Sequence, residues 1–364
     1  MIYLNYAALC PTHPEAEREV EGTLAEFKQY LYSDAGIQLF LQKSQRCREK
    51  VAKLLNVQDP TTIAFVPNAS TANFLVLSSL VWNPGDAIVT STHENPSIIR
   101  EFRALAQRGV QTHTVKPTSA SEFVKAIDRL TATQKVKAIV LSHVSHVDGR
   151  VFPLQEVARI AREKKILFII DGAQAVGHIP VDVSRLECDI YFFTGHKWCR
   201  GPLGTGALVV HDHFLQLNPM FGLQAAEQGH PRASQFEIGT HNIGLIAGLA
   251  KACEVKHAEG LGTERLEHLK AEVNGALDER GDVRILKWDG PHAPGILTFQ
   301  GPPSLDHHEM VTTLYSQWNI VVKPFWDYPE GETPAIRLSW SPATKEQDIR
   351  FVLEKVGDFL GRKR

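Results

Sequence analysis

The sequence has little of what marks secreted, metal-bound or membrane-embedded proteins. Its 364 residues contain only five cysteines, which are dispersed and form no Cys-x-x-Cys pair. This pattern argues against a disulfide framework or a cysteine-based zinc site and favours a reducing compartment. No apolar run approaches the roughly 20 residues of a membrane span, and the N-terminus shows no basic segment followed by an apolar core. We therefore expect a soluble, cytoplasmic protein.

An excess of charge of one sign is also missing. Lysine and arginine total 39, aspartate and glutamate 41, which gives a net charge of −2. This balance gives no electrostatic reason to expect nucleic acid or membrane partners. Neither a G-x-G-x-x-G fingerprint nor a Walker A motif occurs, and the 16 histidines show no His-Glu-x-x-His spacing. No metal site is predicted.

What the sequence does contain is a lysine placed after a buried strand. The run Asp189 to Phe193 is apolar and aromatic, and it breaks off at Thr194-Gly-His-Lys197. Open α/β sheets bind their ligands at the carboxyl ends of strands. Desolvation at such a place lowers the pKa of a lysine amine, which suits an amine that attacks a carbonyl. Taken alone, a surface lysine on a glycine-containing loop is the simpler interpretation.

A carboxylate at the end of a second apolar strand favours a ligand-binding lysine over a surface lysine. Phe168 to Asp171 is such a strand, and small residues follow it in Gly172-Ala-Gln174. A lysine and a carboxylate at the ends of two buried strands are what pyridoxal 5′-phosphate (PLP) requires. Lys197 would form the Schiff base, and Asp171 would keep the pyridinium nitrogen protonated.

The motifs Asp171-Gly-Ala-Gln174 and Thr194-Gly-His-Lys197 together resemble those of class V aminotransferase-type PLP enzymes. The similarity is to the cysteine desulfurase and cysteine/cystine C–S lyase group, and weaker matches run from Leu4 to the C-terminal helix. The resemblance implies the α/β architecture of PLP fold type I. We expect a large domain with a mostly parallel seven-stranded sheet at residues 14–242. A small C-terminal α/β domain would comprise residues 243–364 with the N-terminal segment 1–13.

Apolar periodicity predicts the elements of this architecture. The predicted helices span 14–32, 42–55, 74–80, 120–130, 153–165, 243–259, 263–280, 306–318 and 344–360. The predicted strands span 62–66, 87–92, 111–115, 136–144, 168–171, 189–194, 207–210, 283–286, 295–299, 320–322 and 335–340.

The resemblance assigns the cofactor phosphate to the start of a helix. A helix N-terminus with free amides and a serine hydroxyl is a ready anion site, so Ala69 and Ser70 would hold the phosphate. A plain N-cap, served by Asn68, Ser70 or Thr71, is the alternative. The further phosphate contacts that the resemblance implies are Thr194 and His196.

The same resemblance implies that Thr240, in Phe236-Glu-Ile-Gly-Thr240, reaches the phosphate of a neighbouring subunit. If it does, the active sites are shared and a homodimer is obligatory. The simpler interpretation is that Thr240 caps the helix that starts near Asn242, and both roles can hold together.

Two histidines would contact the cofactor ring, and Gln174 would also bind the cofactor. His93 stands where the family has its ring-stacking histidine and could shuttle a proton at the substrate Cα, although a lone histidine is more often structural. His146 replaces the asparagine that usually contacts the ring hydroxyl, and Gln174 completes the aspartate motif.

Arg337 lies inside an apolar strand, where a buried guanidinium needs an anion. The family's carboxylate-binding arginine stands in the same position, which predicts an α-amino acid substrate, and an internal salt bridge is the alternative. Asn5 and Tyr6 match a motif beside the substrate pocket, with an edge strand as the equally weighted alternative. Four aromatic residues have two interpretations: they line the pocket for the substrate side chain, or they only pack in the core. These residues are Trp198, Phe325, Trp326 and Tyr328.

The bond that breaks is predicted from a missing cysteine. Cysteine desulfurases carry a mobile-loop cysteine shortly before the substrate arginine, but residues 322–333 contain none. Lys197 could still remove the Cα proton and permit β-elimination of a thiol or persulfide, giving pyruvate and ammonia. We therefore expect a lyase acting on cysteine or cystine. The alternatives are desulfuration, racemisation or epimerisation, transamination, and a PLP-carrying regulatory protein without turnover.

Overall fold

A central sheet of seven strands organises the protein. In this computed structural model, residues 1–30, 33–211, 214, 231–326 and 334–361 are described. The strands are β1 (Ile2–Tyr3), β2 (Ile63–Val66), β3 (Ala87–Ser91), β4 (Gln111–Val115), β5 (Val136–Ser142), β6 (Leu167–Asp171), β7 (Ile190–Thr194), β8 (Gly206–Val210), β9 (Arg284–Ile285), β10 (Ile296–Gln300), β11 (Ile320–Val321), β12 (Lys323–Phe325) and β13 (Ala335–Ser339).

The strand order in the central sheet is β2-β8-β7-β6-β5-β3-β4. Neighbours from β7 through β4 pair in parallel, whereas β8 runs antiparallel to both β7 and β2. The predicted mostly parallel, seven-stranded sheet is therefore confirmed. Parallel strands joined by helices are covered on both faces and read as continuous apolar runs, which explains why β5 to β8 were legible in the sequence.

Eleven helices accompany the strands in the described ranges. They span Pro14–Phe27, Asp34–Leu55, Ala69–Ser79, Pro96–Ala106, Ala120–Thr133, Leu154–Lys164, Val183–Leu186, Ile243–Glu259, Thr263–Asp278, His307–Trp318 and Glu346–Gly361. Successive side chains of β6 and β7 alternate between two cores on opposite faces of the sheet. One core contains Phe168, Ile170, Tyr191 and Phe193, and the other contains Ile169, Ile190 and Phe192.

Several element bounds differ from the predictions because of capping side chains. Ser33 accepts a hydrogen bond from the Gly36 amide and starts the second helix eight residues before the predicted Gln42. Asn68 caps Ala69–Ser79 by accepting from the Thr71 amide, which starts that helix five residues early. The helix Pro96–Ala106 was not predicted at all, although Asn95 caps it and proline occupies its first turn.

A third core surrounds the smaller sheet, whose order is β12-β13-β10-β9, with β1 and β11 paired beside it. Leu4, Leu269, Phe299 and Trp340 belong to this core. The helix Ile243–Glu259 buries its apolar side chains in the core of the seven-stranded sheet instead. The division at residue 243 stays a prediction, and this packing favours a boundary after Glu259. No helix in the described ranges is long and apolar enough to cross a bilayer.

Candidate active site

The carboxyl edge of the central sheet brings Asp171 and Lys197 together. Asp171 ends β6, and Lys197 follows the end of the neighbouring parallel strand β7 by three residues. Because parallel strands present their carboxyl ends at one edge, both side chains belong to the same site. Their charges influence each other's protonation, as expected for groups in one cavity.

Lys197 is half-buried. Within the described part of the chain its amine makes neither a hydrogen bond nor an ion pair, whereas its carbonyl accepts from the Arg200 amide at 2.8 Å. Burial lowers the pKa of Lys197, Arg337 lowers it further, and Asp171 opposes both. The amine is therefore biased towards the neutral, nucleophilic form.

Asp171 is a buried carboxylate without an ion-pair partner among the described residues. Its Oδ1 accepts a hydrogen bond of 2.8 Å from the Ala173 amide. Burial raises the pKa of Asp171, while Lys197 and the Ala173 amide lower it. The site thus holds an acidic group that a positively charged partner would stabilise.

Arg337 points into the site from β13 and is 2% exposed. Its Nη1 donates to the His146 carbonyl at 2.5 Å and its Nη2 to Asn5 Oδ1 at 3.0 Å. The guanidinium lies 5.5 Å from the centre of the Phe325 ring. No Asp or Glu in the described ranges pairs with it, and its buried Nε has no hydrogen-bond partner. The internal salt bridge considered as an alternative is therefore absent from this part of the structure.

The residues predicted to hold a phosphate come together from two distant segments. The Ala69 amide donates to Thr194 Oγ1 at 2.9 Å. Asn68 is the N-cap, so Ser70 is not needed in that role and donates to Ser97 Oγ at 2.8 Å instead. His196 has a buried Nδ1 without a partner in the described residues, and burial lowers its pKa to about 4.

His93 and His146 both enter the site. His146 is buried, and burial, Arg337, Lys197 and His93 together hold its pKa well below the ordinary value. Its ring lies edge-on to Phe325 at 5.9 Å. His93 is also buried, at the start of the segment after β3. A stacking role for His93 and a ring-hydroxyl contact for His146 stay predictions.

Gln174 is tied into the protein at both ends of its amide. Its Nε2 donates to the Ala7 carbonyl at 2.8 Å, and its Oε1 accepts from Trp198 Nε1 at 2.7 Å. A contact to the cofactor would have to use the second hydrogen of Nε2 or the second lone pair of Oε1. Trp198 stacks on His178 with ring centres 3.6 Å apart, so it belongs to the core that supports the lysine loop.

The other predicted wall residues differ among themselves. Phe325 is buried against Arg337 and His146, whereas Trp326 is 46% exposed. Tyr328 lies outside the described residues. Asn5 orients Arg337 through its side-chain oxygen, and Tyr6 packs beside Trp198.

Thr240 is exposed on this chain and does not cap a helix. The N-cap of Ile243–Glu259 is Asn242, whose Oδ1 accepts from the Leu245 amide at 3.1 Å. The capping alternative is therefore wrong for Thr240, and its contact with a neighbouring subunit stays a prediction.

Sequence reasoning missed a second layer of buried polar residues around the site. Glu94 accepts hydrogen bonds of 2.6 Å from both Ser91 and Ser142. Asp148 and Arg150 form a buried ion pair in the turn after β5. Two charged residues flanking Gly149 directly after a strand were the only sequence signal for that pair.

The residues of the site fit PLP by their chemistry. Asp171 suits a protonated ring nitrogen, Lys197 a carbonyl carbon, and the amide-and-hydroxyl group at Ala69 and Thr194 a phosphate. Burying a charge without a partner is costly unless a ligand provides one. Asp171 and Arg337 carry such charges, and PLP together with an α-amino acid carries the complementary ones.

Comparison with known proteins agrees with this geometry. Residues 28–347 match the model of the family described as aminotransferase class-V. A probable cysteine desulfurase of Pyrococcus abyssi is 30% identical over 297 residues, covering 76% of this chain and 72% of the relative.

Two similar solved structures are of the protein C-DES, at 27% identity. One is the cystine C–S lyase in complex with its reaction product cysteine persulfide, with a TM-score of 0.84, covering 98% of this chain and 97% of the other. The other is a mutant with glycine covalently linked to the PLP cofactor, with a TM-score of 0.85 and coverage of 98% and 96%. The chain belongs to the class-V aminotransferase family and is a PLP-dependent enzyme.

Proposed function

We propose that the protein is a C–S lyase that eliminates the sulfur of cysteine or cystine. The products would be pyruvate, ammonia and sulfide, or cysteine persulfide in place of sulfide when cystine is the substrate. The observation that carries the proposal is that the chain has Lys197, Asp171 and Arg337 but no exposed cysteine. All five cysteines are buried, and none lies between Val322 and Arg337. No accessible thiol is therefore present to take up the sulfur.

Cys10 is the cysteine whose charge interacts with Lys197, so we compare it with the nucleophilic cysteine of a desulfurase. Its thiol lies 3.4 Å from the Tyr6 carbonyl. Burial raises the pKa of Cys10 to about 12, although Lys256, Arg200 and Lys197 lower it. A thiol in that state is a poor nucleophile, because the thiolate is the reactive form. This supports elimination over sulfur transfer to the enzyme.

Arg337 would bind the substrate carboxylate. Two of its N–H groups are fixed by His146 and Asn5, so the guanidinium plane is held before substrate arrives. The Nε–H and the second hydrogens of the Nη atoms remain for a two-point contact with a carboxylate. Binding there places the α-carbon near Lys197, whose pKa Arg337 also lowers.

Lys197 would then act as the base. When bound, PLP withdraws electrons from the substrate α-carbon and so makes its proton removable. The Lys197 amine takes this proton, since its desolvated environment favours the neutral form. The C–S bond breaks with its electron pair on sulfur, and the proton held by Lys197 can return to that sulfur. Asp171 stabilises positive charge at the ring nitrogen throughout.

The relatives support this substrate class. The solved structure similar over 98% of this chain is named a cystine C–S lyase, and the relative from Pyrococcus abyssi a probable cysteine desulfurase. We further propose a homodimer in which Thr240 of one subunit completes the phosphate site of the other. Its exposure on the single chain and the neighbouring exposed Ile238 support this. Five unpaired cysteines favour the cytoplasm as its location.

The test is to supply the PLP-loaded protein with L-cysteine and with L-cystine and to assay pyruvate and alanine separately. We expect pyruvate in stoichiometric ratio to ammonia. Alanine with sulfide would replace the proposal by desulfuration. If neither pyruvate nor alanine is formed, the proposal is refuted, and epimerisation or transamination of another amino acid becomes the next hypothesis to test.

A further inference from the structure

A buried polar group behind His93 has no part in the reaction described so far. Nδ1 of His93 lies 3.1 Å from Ser145 Oγ and 3.7 Å from Asp148 Oδ1. Ser145 and Asp148 are at most 1% exposed. Both belong to the turn after β5, whereas His93 follows β3, the strand paired with β5. The contact therefore joins two segments at the carboxyl edge of the sheet.

Arg150 fixes Asp148 from the opposite side. Its Nε and Nη2 both donate to Asp148 Oδ2, at 2.8 and 2.5 Å, and its Nη1 donates to the Pro117 carbonyl. The guanidinium also lies 5.2 Å from the Trp288 ring centre. Burial raises the pKa of Asp148, but the hydrogen bonds and charges of His93 and Arg150 outweigh burial and hold this pKa well below its ordinary value. Asp148 is thus an ionised carboxylate with a fixed orientation.

This arrangement is not a hydrolytic triad. In a triad the serine and the carboxylate contact opposite nitrogens of the histidine ring. Here Ser145 and Asp148 both face Nδ1, and Ser145 Oγ also accepts a hydrogen bond of 3.0 Å from the Val147 amide. Serine is therefore a support for the ring and not a nucleophile activated by it.

We infer that Asp148, held by Arg150, is a positioning residue for His93: it fixes the ring through Nδ1 and supplies the counter-charge when the ring is protonated. The inference rests on the role proposed for His93 in the PLP site. A proton then enters and leaves at Nε2, while Asp148 stays a carboxylate. His146 lies within electrostatic reach of Arg337, Lys197 and His93, so a positive charge on His93 would be added to a site that already holds cationic groups and would be disfavoured by repulsion. Asp148 offsets that repulsion.

Two measurements on Asp148→Asn test the inference. Steady-state kinetics with L-cysteine should show kcat lowered about 10- to 100-fold, by analogy with the loss of a carboxylate that orients a metal-binding histidine, with KM within about threefold. The second readout is independent of turnover. In holoenzyme with ¹⁵N-labelled histidine, two-bond ¹H–¹⁵N spectra report ring protonation, and a His93→Gln sample identifies the His93 signals. The Asp148→Asn signals should move towards those of a neutral ring at the same pH.

Asp86→Asn is the matched control. Asp86 is a buried carboxylate that pairs with Lys135 and Lys137 at the opposite end of β3, so its loss should lower Tm without moving the His93 signals or kcat. Unchanged His93 signals in Asp148→Asn would overturn the inference even if kcat fell. If that variant does not fold, Ser145→Ala decides. It removes the other group at Nδ1 and leaves the Asp148–Arg150 pair intact, so the His93 signals should stay those of the wild type. A shift to a neutral ring in Ser145→Ala would overturn the inference and assign the role to Ser145.

The spectra also separate this inference from the proposed function. If the wild-type enzyme forms no pyruvate, the lyase proposal fails, yet the protonation of His93 and its dependence on Asp148 are still measured. A wild-type His93 that is neutral and insensitive to Asp148→Asn refutes only the inference.

Discussion

Replacement of Arg337 by alanine tests the substrate class most directly. The guanidinium is 2% exposed and has no carboxylate partner in the described chain. A substrate carboxylate bound there would be desolvated and paired with it. Removing one partner of a buried, hydrogen-bonded charge pair costs about 2–5 kcal/mol. At roughly 1.36 kcal/mol per factor of ten, kcat/KM for L-cysteine should fall about 30- to 5,000-fold.

The loss should appear mainly in KM, because the contact is made equally by bound substrate and transition state. Arg337→Lys keeps the charge but loses the planar fork, so its kcat/KM should lie between the wild type and Arg337→Ala. Arg265→Ala is the control for loss of an arginine from the same half of the chain. It pairs with Glu346 and should leave the kinetics unchanged.

The reasoning is refuted if Arg337→Ala keeps kcat/KM within about threefold of the wild type. A second refuting pattern is a large loss of PLP affinity with an unchanged KM for L-cysteine. That result would assign the guanidinium to the cofactor. PLP affinity is measured by fluorescence titration of apoenzyme, independently of turnover.

Three other perturbations have defined outcomes. Lys197→Ala should no longer retain PLP covalently after borohydride reduction, as measured by intact-mass spectrometry. Lys256 is also half-buried, and the control variant Lys256→Ala should still retain PLP. Covalent retention in Lys197→Ala would show that PLP is anchored at another residue. Burial raises the pKa of Glu94 to about 7, so the folded state binds a proton that the unfolded state releases between pH 4.5 and 7. Stability therefore falls as pH rises through this window, by about 3 kcal/mol at 1.36 kcal/mol per pKa unit. In Glu94→Gln the difference in unfolding free energy between pH 5 and pH 8, measured by urea unfolding, should shrink by this amount. A difference as large as that of the wild type would contradict the role of Glu94. Ile238→Glu should lower dimer content and lyase activity together in sedimentation and pyruvate assays, and a fully active monomer would exclude shared sites.

The sheet and the Lys197–Asp171 pairing were predictable because both depend on local patterns. Fully buried parallel strands read as apolar runs, and a polar residue at the end of such a run is at the sheet edge by construction. The start of the helix Ala69–Ser79 was misplaced, although its cap Asn68 was visible. Five small or polar residues before Phe74 obscured the apolar period, and tertiary packing of Ala69 and Ala72 decided the conformation.

The remaining parts of the site depend on contacts between distant segments. Asp148 is 55 residues from His93 along the chain but 3.7 Å away in the fold. No periodicity carries that information. Gln174 was expected at the cofactor from the aspartate motif, yet its amide is bonded to Ala7 and Trp198. A motif identifies which residues sit near a site but not which atoms remain for a ligand.

The treatment of buried charges distinguishes the site from the rest of the structure. Elsewhere in the described ranges Arg48 pairs with Glu237, Asp86 with Lys135 and Asp148 with Arg150. Buried Glu94 accepts hydrogen bonds from Ser91 and Ser142 instead, and burial raises its pKa to about 7. Asp171 and Arg337 are equally buried and have no such partner. Since an unpaired buried charge destabilises a fold, their isolation at one sheet edge indicates that ligands supply the missing charges. A cation at Asp171 and an anion at Arg337 are what a protonated pyridine ring and an α-carboxylate provide, and Lys197 lies within electrostatic reach of both.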